Sequence, residues 1–115
     1  MNMFNTSKKL KIIAIGAHGD DIELACGGTL AKAVNYGHDV SMILVTGGSS
    51  NDHNNVTIRN QDEAKKEAID ASKILGVSNL HILGYKDTCV PYSVDLISKL
   101  DKIISKFQPD IIFTH

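Results

Sequence analysis

Apolar residues along the chain fall into two alternating kinds of run. Residues 10–16, Leu10-Lys11-Ile12-Ile13-Ala14-Ile15-Gly16, are short and almost continuously apolar, the pattern of a strand buried on both faces of a parallel sheet. From Asp21 the apolar residues recur instead at helical spacing, through Ile22, Leu24, Ala25, Leu30, Ala31, Ala33 and Val34. An acidic first turn precedes them and Gly37 follows, which predicts a helix with a defined start and stop. Gly27 and Gly28 interrupt that helix and imply a close approach of its backbone to sheet or ligand. A second strand is predicted over residues 40–46. The Gly-, Ser- and Asn-rich stretch 47–55 after it is longer than most strand-to-helix connections and reads as a mobile or substrate-facing loop. Residues 57–75 then read as a helix, with Ala64, Ala68, Ala71, Ile74 and Leu75 on one face and Gly76 as terminator. A short strand over 80–83 and a helix over 94–107 follow. Pro109 separates that helix from a last apolar strand that runs toward His115.

Four strands alternating with three helices predict an α/β domain, an open parallel sheet covered on both faces in three α/β/α layers. Every predicted strand ends in a polar or glycine-containing cluster: His18-Gly19-Asp20-Asp21, Thr46-Gly47-Gly48, Tyr85-Lys86-Asp87 and Thr114-His115. Ligands of such sheets bind beyond the carboxyl ends of the strands, at the point where strand order reverses. With the order 3-2-1-4, the first and fourth strands are neighbours, so whatever follows His115 would lie beside the acidic turn. Residues 1–115 form one domain in this reading. A last strand that stops on the functional edge predicts a further segment beyond it.

Composition narrows the partners. The 115 residues are 43% hydrophobic, with a formal net charge of -1 and mixed signs throughout. That gives no basic face for nucleic acid and no polybasic membrane patch, and favours a small-molecule partner. No apolar segment is long enough for a transmembrane helix, and no secretory leader is evident, so the expected location is cytoplasmic. Two isolated cysteines, Cys26 and Cys89, suit reduced thiols rather than a disulfide framework.

The chemistry is expected in the first polar turn. One imidazole and two adjacent carboxylates suit a divalent cation and an activated water. His18 and Asp21 are candidate metal ligands, and Asp20, outside the ligand set, is the candidate general base. Helix-capping aspartates beside a solvated histidine are the competing explanation. Glu23 reads as a residue behind the ligands or an interaction with the helix dipole.

Ala17-His18-Gly19-Asp20-Asp21-Ile22-Glu23-Leu24, followed by Cys26-Gly27-Gly28-Thr29-Leu30-Ala31, resembles the signature of the PIG-L (LmbE-like) deacetylases. Weaker similarity extends through Thr46-Gly47, Leu83-Gly84-Tyr85-Lys86-Asp87 and Pro109-Asp110-Ile111-Ile112-Phe113-Thr114-His115. The resemblance implies a Rossmann-like sheet and a zinc-dependent N-deacetylase acting on an N-acetylated sugar or glycoconjugate. Another divalent metal and self-association stay open. It further implies that His18 and Asp21 bind the metal and that Asp20 is the base. Asp87, Gly47 and Arg59 are expected to line the substrate pocket, with turn or helix-start stabilisation the competing role for Asp87. Three departures stand out. Gly19 occupies the family's usual proline position, and Ala64 stands where an arginine often lies three residues before Glu67. Arg59 could do that work only if the register of that helix differs. The third ligand and a catalytic histidine are expected after the fourth strand, with His115 resembling only the residue that opens that segment.

Two other classes share this architecture. A dinucleotide-binding module lacks its third glycine here, and the two aspartates would repel a pyrophosphate. A receiver-like signalling domain would use the acidic pair, Asp87 and Thr114, but lacks a fifth strand with its lysine.

Overall fold

The computed structural model describes residues 2–115. Strands β1 (Lys11–Gly16), β2 (Asp39–Thr46), β5 (Asn79–Tyr85) and β6 (Ile111–Phe113) form one parallel sheet in the order β5-β2-β1-β6. This is the predicted 3-2-1-4 arrangement, with the first and last strands side by side. Two further strands, β3 (Ser50–Asn51) and β4 (Thr57–Arg59), pair antiparallel as a small separate ribbon.

Helices α1 (Asp21–Asn35) and α2 (Gln61–Leu75) pack against each other on one face of the sheet. Their Ile22, Leu30, Ala33 and Ala68 meet the alternate strand residues Ile12, Ala14, Val40, Met42 and Leu44 in the main core. Ile13 and Ile43 point to the opposite face and are also fully buried. That side carries α3 (Val94–Phe107), placed there by Lys11 over the Phe107 ring, Lys99 over the Tyr85 ring and Lys106 close enough to His81 to help lower its pKa. Burial is the larger cause of that shift. The amino-terminal segment is tied down by buried His38, whose Nδ1 accepts from the Leu10 amide and whose Nε2 therefore donates to the Phe4 carbonyl.

The loop and the second helix differ from expectation. The helix begins at Gln61 rather than near residue 57, because Val56, Thr57 and Ile58 favour extended backbone and Asn60 is a strong cap. The Asn60 side chain accepts from the Glu63 amide while the Glu63 carboxylate accepts from the Asn60 amide, a complete capping box. The stretch read as one long loop therefore folds into the β3-β4 ribbon, whose turn is closed by Asp52 accepting from the Asn54 and Val56 amides. Gly27 packs near Leu75, in line with a close helix approach, but a side chain at Gly28 would meet open space.

Candidate active site

The carboxyl edge of the sheet is held together at the end of β2. Thr46 is buried, and both its amide and its hydroxyl donate to the Ala17 carbonyl, at 3.0 and 2.8 Å. The next amide, Gly47, donates to the Tyr85 carbonyl at 3.0 Å. Two adjacent residues thus anchor the loop after β1 on one side and the end of β5 on the other.

On that scaffold the predicted residues converge. Asp21 Oδ2 accepts from the amides of Ala17 and His18, at 3.1 and 2.9 Å, and lies 3.6 Å from His18 Nδ1. The His18 amide above all, with the His18 ring, the Ala17 amide and His115 adding to it, holds the Asp21 carboxyl below its ordinary range. His18 Nε2 meets Asp87 Oδ1 at 2.6 Å, across 69 residues of sequence. Mainly through this bond, the His18 pKa is raised and that of Asp87 lowered. Asp20 occupies the N-cap position of α1, yet its side chain makes no capping hydrogen bond and is exposed. Side-chain capping therefore does not account for Asp20, whose carboxylate makes no hydrogen bond among the described residues and lies in the same turn as His18 and Asp21.

A cavity of about 190 Å³ opens next to this turn, with Gly19, Asp20, Glu23, Gly47 and Arg59 on its polar side and Leu44, Ala64 and Ala68 on its apolar side. Arg59 reaches it from β4: Nε donates to the Gly48 carbonyl and Nη1 meets Glu67 Oε2 at 2.8 Å. The guanidinium thus stands against Glu67 without any shift of helix register, while Ala64 forms the wall. Both Glu23 carboxylate oxygens are buried without a hydrogen-bond partner among the described residues. Burial, with Asp20 and Asp21 nearby, raises the Glu23 pKa. The sequence marked Glu23 only as a helix-start acid, since its burial depends on α2 closing over it.

Asp87 lies against His18 and also lines a polar groove with Ser49, Asn51, Lys86 and Thr88. On the opposite side of the turn, Asp21, Cys26 and His115 border a second cavity of about 280 Å³, as expected from the pairing of β1 with β6. Among the described residues, no three His, Cys, Asp or Glu side chains converge as a complete ligand set for a metal.

A doubly covered parallel sheet with a histidine, a carboxylate held by backbone amides and a second, exposed carboxylate at its switch point defines a Rossmann-like α/β domain with a polar cluster on its carboxyl edge. The chain belongs to the PIG-L family: the family model for GlcNAc-PI de-N-acetylase matches residues 13–115. A curated relative, the diacetylchitobiose deacetylase of Thermococcus kodakarensis, is 32% identical over 95% of this chain and 41% of that protein. The solved structure of N,N'-diacetylchitobiose deacetylase from Pyrococcus horikoshii, complexed with its inhibitor MPG, matches with a TM-score of 0.77. It is 31% identical and is matched over 90% of this chain and 40% of that one. GalB, the 4-carboxy-2-hydroxymuconate hydratase from Pseudomonas putida, has the same TM-score of 0.77 at 17% identity, over 94% of this chain and 47% of that one. It shows the fold alone, and it shows that this fold also carries a reaction other than deacetylation. The chain spans about half the length of the curated relatives it matches.

Proposed function

We propose that this chain carries the metal-binding and proton-abstracting part of a zinc-dependent N-deacetylase whose substrate is an N-acetylated sugar or related amide. The observation that carries the reading is the 3.6 Å separation of His18 Nδ1 and Asp21 Oδ2 on one turn, with the free Asp20 carboxylate beside them. Two ligand atoms at ~2.0–2.2 Å from a tetrahedral zinc lie roughly 3.4 Å apart, so the pair fits one ion. Another divalent metal with nitrogen and oxygen preferences fits the same pair. The third ligand comes from outside the described residues in this reading, on the β6 side where His115 already borders Asp21. The bound ion supplies Lewis acidity toward the amide carbonyl and toward water.

Proton abstraction and part of substrate binding fall to side chains of this chain. Asp20 takes a proton from the attacking water, whose oxygen bonds to the carbonyl carbon. The carbon–nitrogen bond then breaks, the nitrogen takes up a proton, and acetate and a free amine leave. Gly47 brings backbone close to the substrate, and the Arg59 guanidinium, fixed by Glu67 and the Gly48 carbonyl, provides a donor for sugar hydroxyls. Asp87, on the polar groove, borders the same space. Support for deacetylation over other reactions on this fold comes from the family match and from two relatives above 30% identity that are named as deacetylases. The expected substrate is a small-molecule N-acetylated sugar or glycoconjugate. No helix among the described residues is long and apolar enough to cross a membrane.

In an enzyme that carries the third ligand, Asp20→Asn tests the mechanism by acetate release from N-acetylated chito-oligosaccharides, with zinc content measured in parallel; residues 1–115 alone should bind zinc weakly and release no acetate. Turnover should disappear while zinc is retained, and a zinc-loaded variant of undiminished activity would sink the proposal.

A further inference from the structure

We propose that Asp87 is a positioning residue for His18: its carboxylate accepts the Nε2–H hydrogen bond and holds the ring so that bare Nδ1 faces Asp21. The significance of that orientation rests on the metal-site reading above; the orientation itself does not. The His18 side chain is 40% exposed on a loop flanked by glycine, and such an imidazole would by itself sample several rotamers and both neutral tautomers. Asp87 Oδ1 stands 2.6 Å from Nε2. An ionised carboxylate only accepts, so Nε2 must carry the proton and the neutral ring is left with its lone pair on Nδ1. That nitrogen is the one 3.6 Å from Asp21 Oδ2.

The placement of Asp87 is built into the backbone. Thr88 adopts φ 62°, a left-handed conformation that β-branched residues rarely take. In that conformation its amide donates to the same Asp87 Oδ1 at 2.9 Å, while the Cys89 amide closes the turn onto the Lys86 carbonyl at 3.1 Å. Gly47, donating to Tyr85, fixes the strand end from which the turn departs. A disfavoured residue in a turn that aims one oxygen at one ring nitrogen is the mark of a constrained functional contact. A stabilising surface pair would not require it, because exposed ion pairs contribute little. The same carboxylate-to-imidazole arrangement fixes the ring in many metal sites.

The test reads the ring directly. Long-range ¹H–¹⁵N spectra of the metal-free full chain, recorded above the His18 titration, report which nitrogen carries the proton. Wild type and Asp87→Asn, whose side-chain oxygen still accepts, should show the Nε2-protonated form; Asp87→Ala should show a mixture. Zn²⁺ titration of the same samples should give an affinity 10–100-fold lower for Asp87→Ala, with Asp87→Asn close to wild type. An unchanged tautomer in Asp87→Ala overturns the proposal. Loss of the tautomer in a protein whose wild type binds no Zn²⁺ upholds the role of Asp87 and overturns the metal reading.

Discussion

Glu23→Met should make the protein more stable at neutral pH and less so, relative to wild type, in acid. Both oxygens of the Glu23 carboxylate are buried beside Leu44 and Ala68, with no partner among the described residues. A desolvated, unsatisfied polar group costs about 1–3 kcal/mol, whereas an apolar side chain of similar length costs nothing of that kind. The change also removes an acid from the first turn of α1, worth about 0.3–1 kcal/mol to the helix. The net gain is therefore about 1–2 kcal/mol, or an increase in urea midpoint of roughly 0.5–1 M for a slope near 2 kcal/mol/M. Its pH dependence follows from the raised pKa, caused first by burial and then by Asp20 and Asp21. The native state holds the Glu23 proton more tightly than the unfolded chain. Wild-type stability contributed by this group therefore falls as pH rises from the unfolded glutamate value to the raised native one. Methionine lacks that loss, so its advantage should be small near pH 4 and grow until Glu23 has ionised in the native state. Urea melts of both proteins from pH 4 to 8 measure it. A destabilised Glu23→Met protein at pH 7, or an advantage independent of pH, would refute the reasoning and mean that the carboxylate is satisfied.

Other expectations are simpler. Gly76→Ala puts a side chain at φ 79° and a Cβ 2.7 Å from Val34 Cγ1, on a stiff β-branched residue of α1, so it should cost about 2–4 kcal/mol in thermal or urea unfolding. Thr46→Val removes the hydroxyl donated to Ala17 but leaves the amide bond to the same carbonyl; a loss of about 0.5–1.5 kcal/mol in chemical denaturation is expected, with weaker metal uptake. In the metal-free protein, the raised His18 pKa stabilises below the unfolded imidazole value and the lowered Asp87 pKa above the unfolded carboxylate value. The midpoint gap between wild type and Asp87→Asn should therefore be widest at roughly pH 4–6.5 and shrink above it as His18 loses its proton; a constant gap would refute this.

The sheet was legible because burial on both faces writes continuous apolar runs at 10–16 and 40–46, and because each run ends in residues that no core would hold. The polar turn after β1 was legible for the same reason, with His18, Asp20 and Asp21 all local in sequence. The β3-β4 ribbon was not, since within residues 47–59 only Val56 and Ile58 are apolar and alternate, and the strand pairing depends on an Asp52 turn and the Asn60 cap. The Asp87-His18 contact and the burial of Glu23 were hidden because each is created by another element arriving from far along the chain. Arg59 shows both sides: the helix register put Ala64 at the arginine position before Glu67, yet β4 brings Arg59 to Glu67 in space.

Thr46 and Gly47 link the β1 loop to the end of β5, two strands that never touch each other in the sheet. The His18-Asp87 contact therefore exists only where β1 and β5 are both docked on β2. A cation held there would bind only the assembled sheet, and its affinity would serve as a gauge of that assembly.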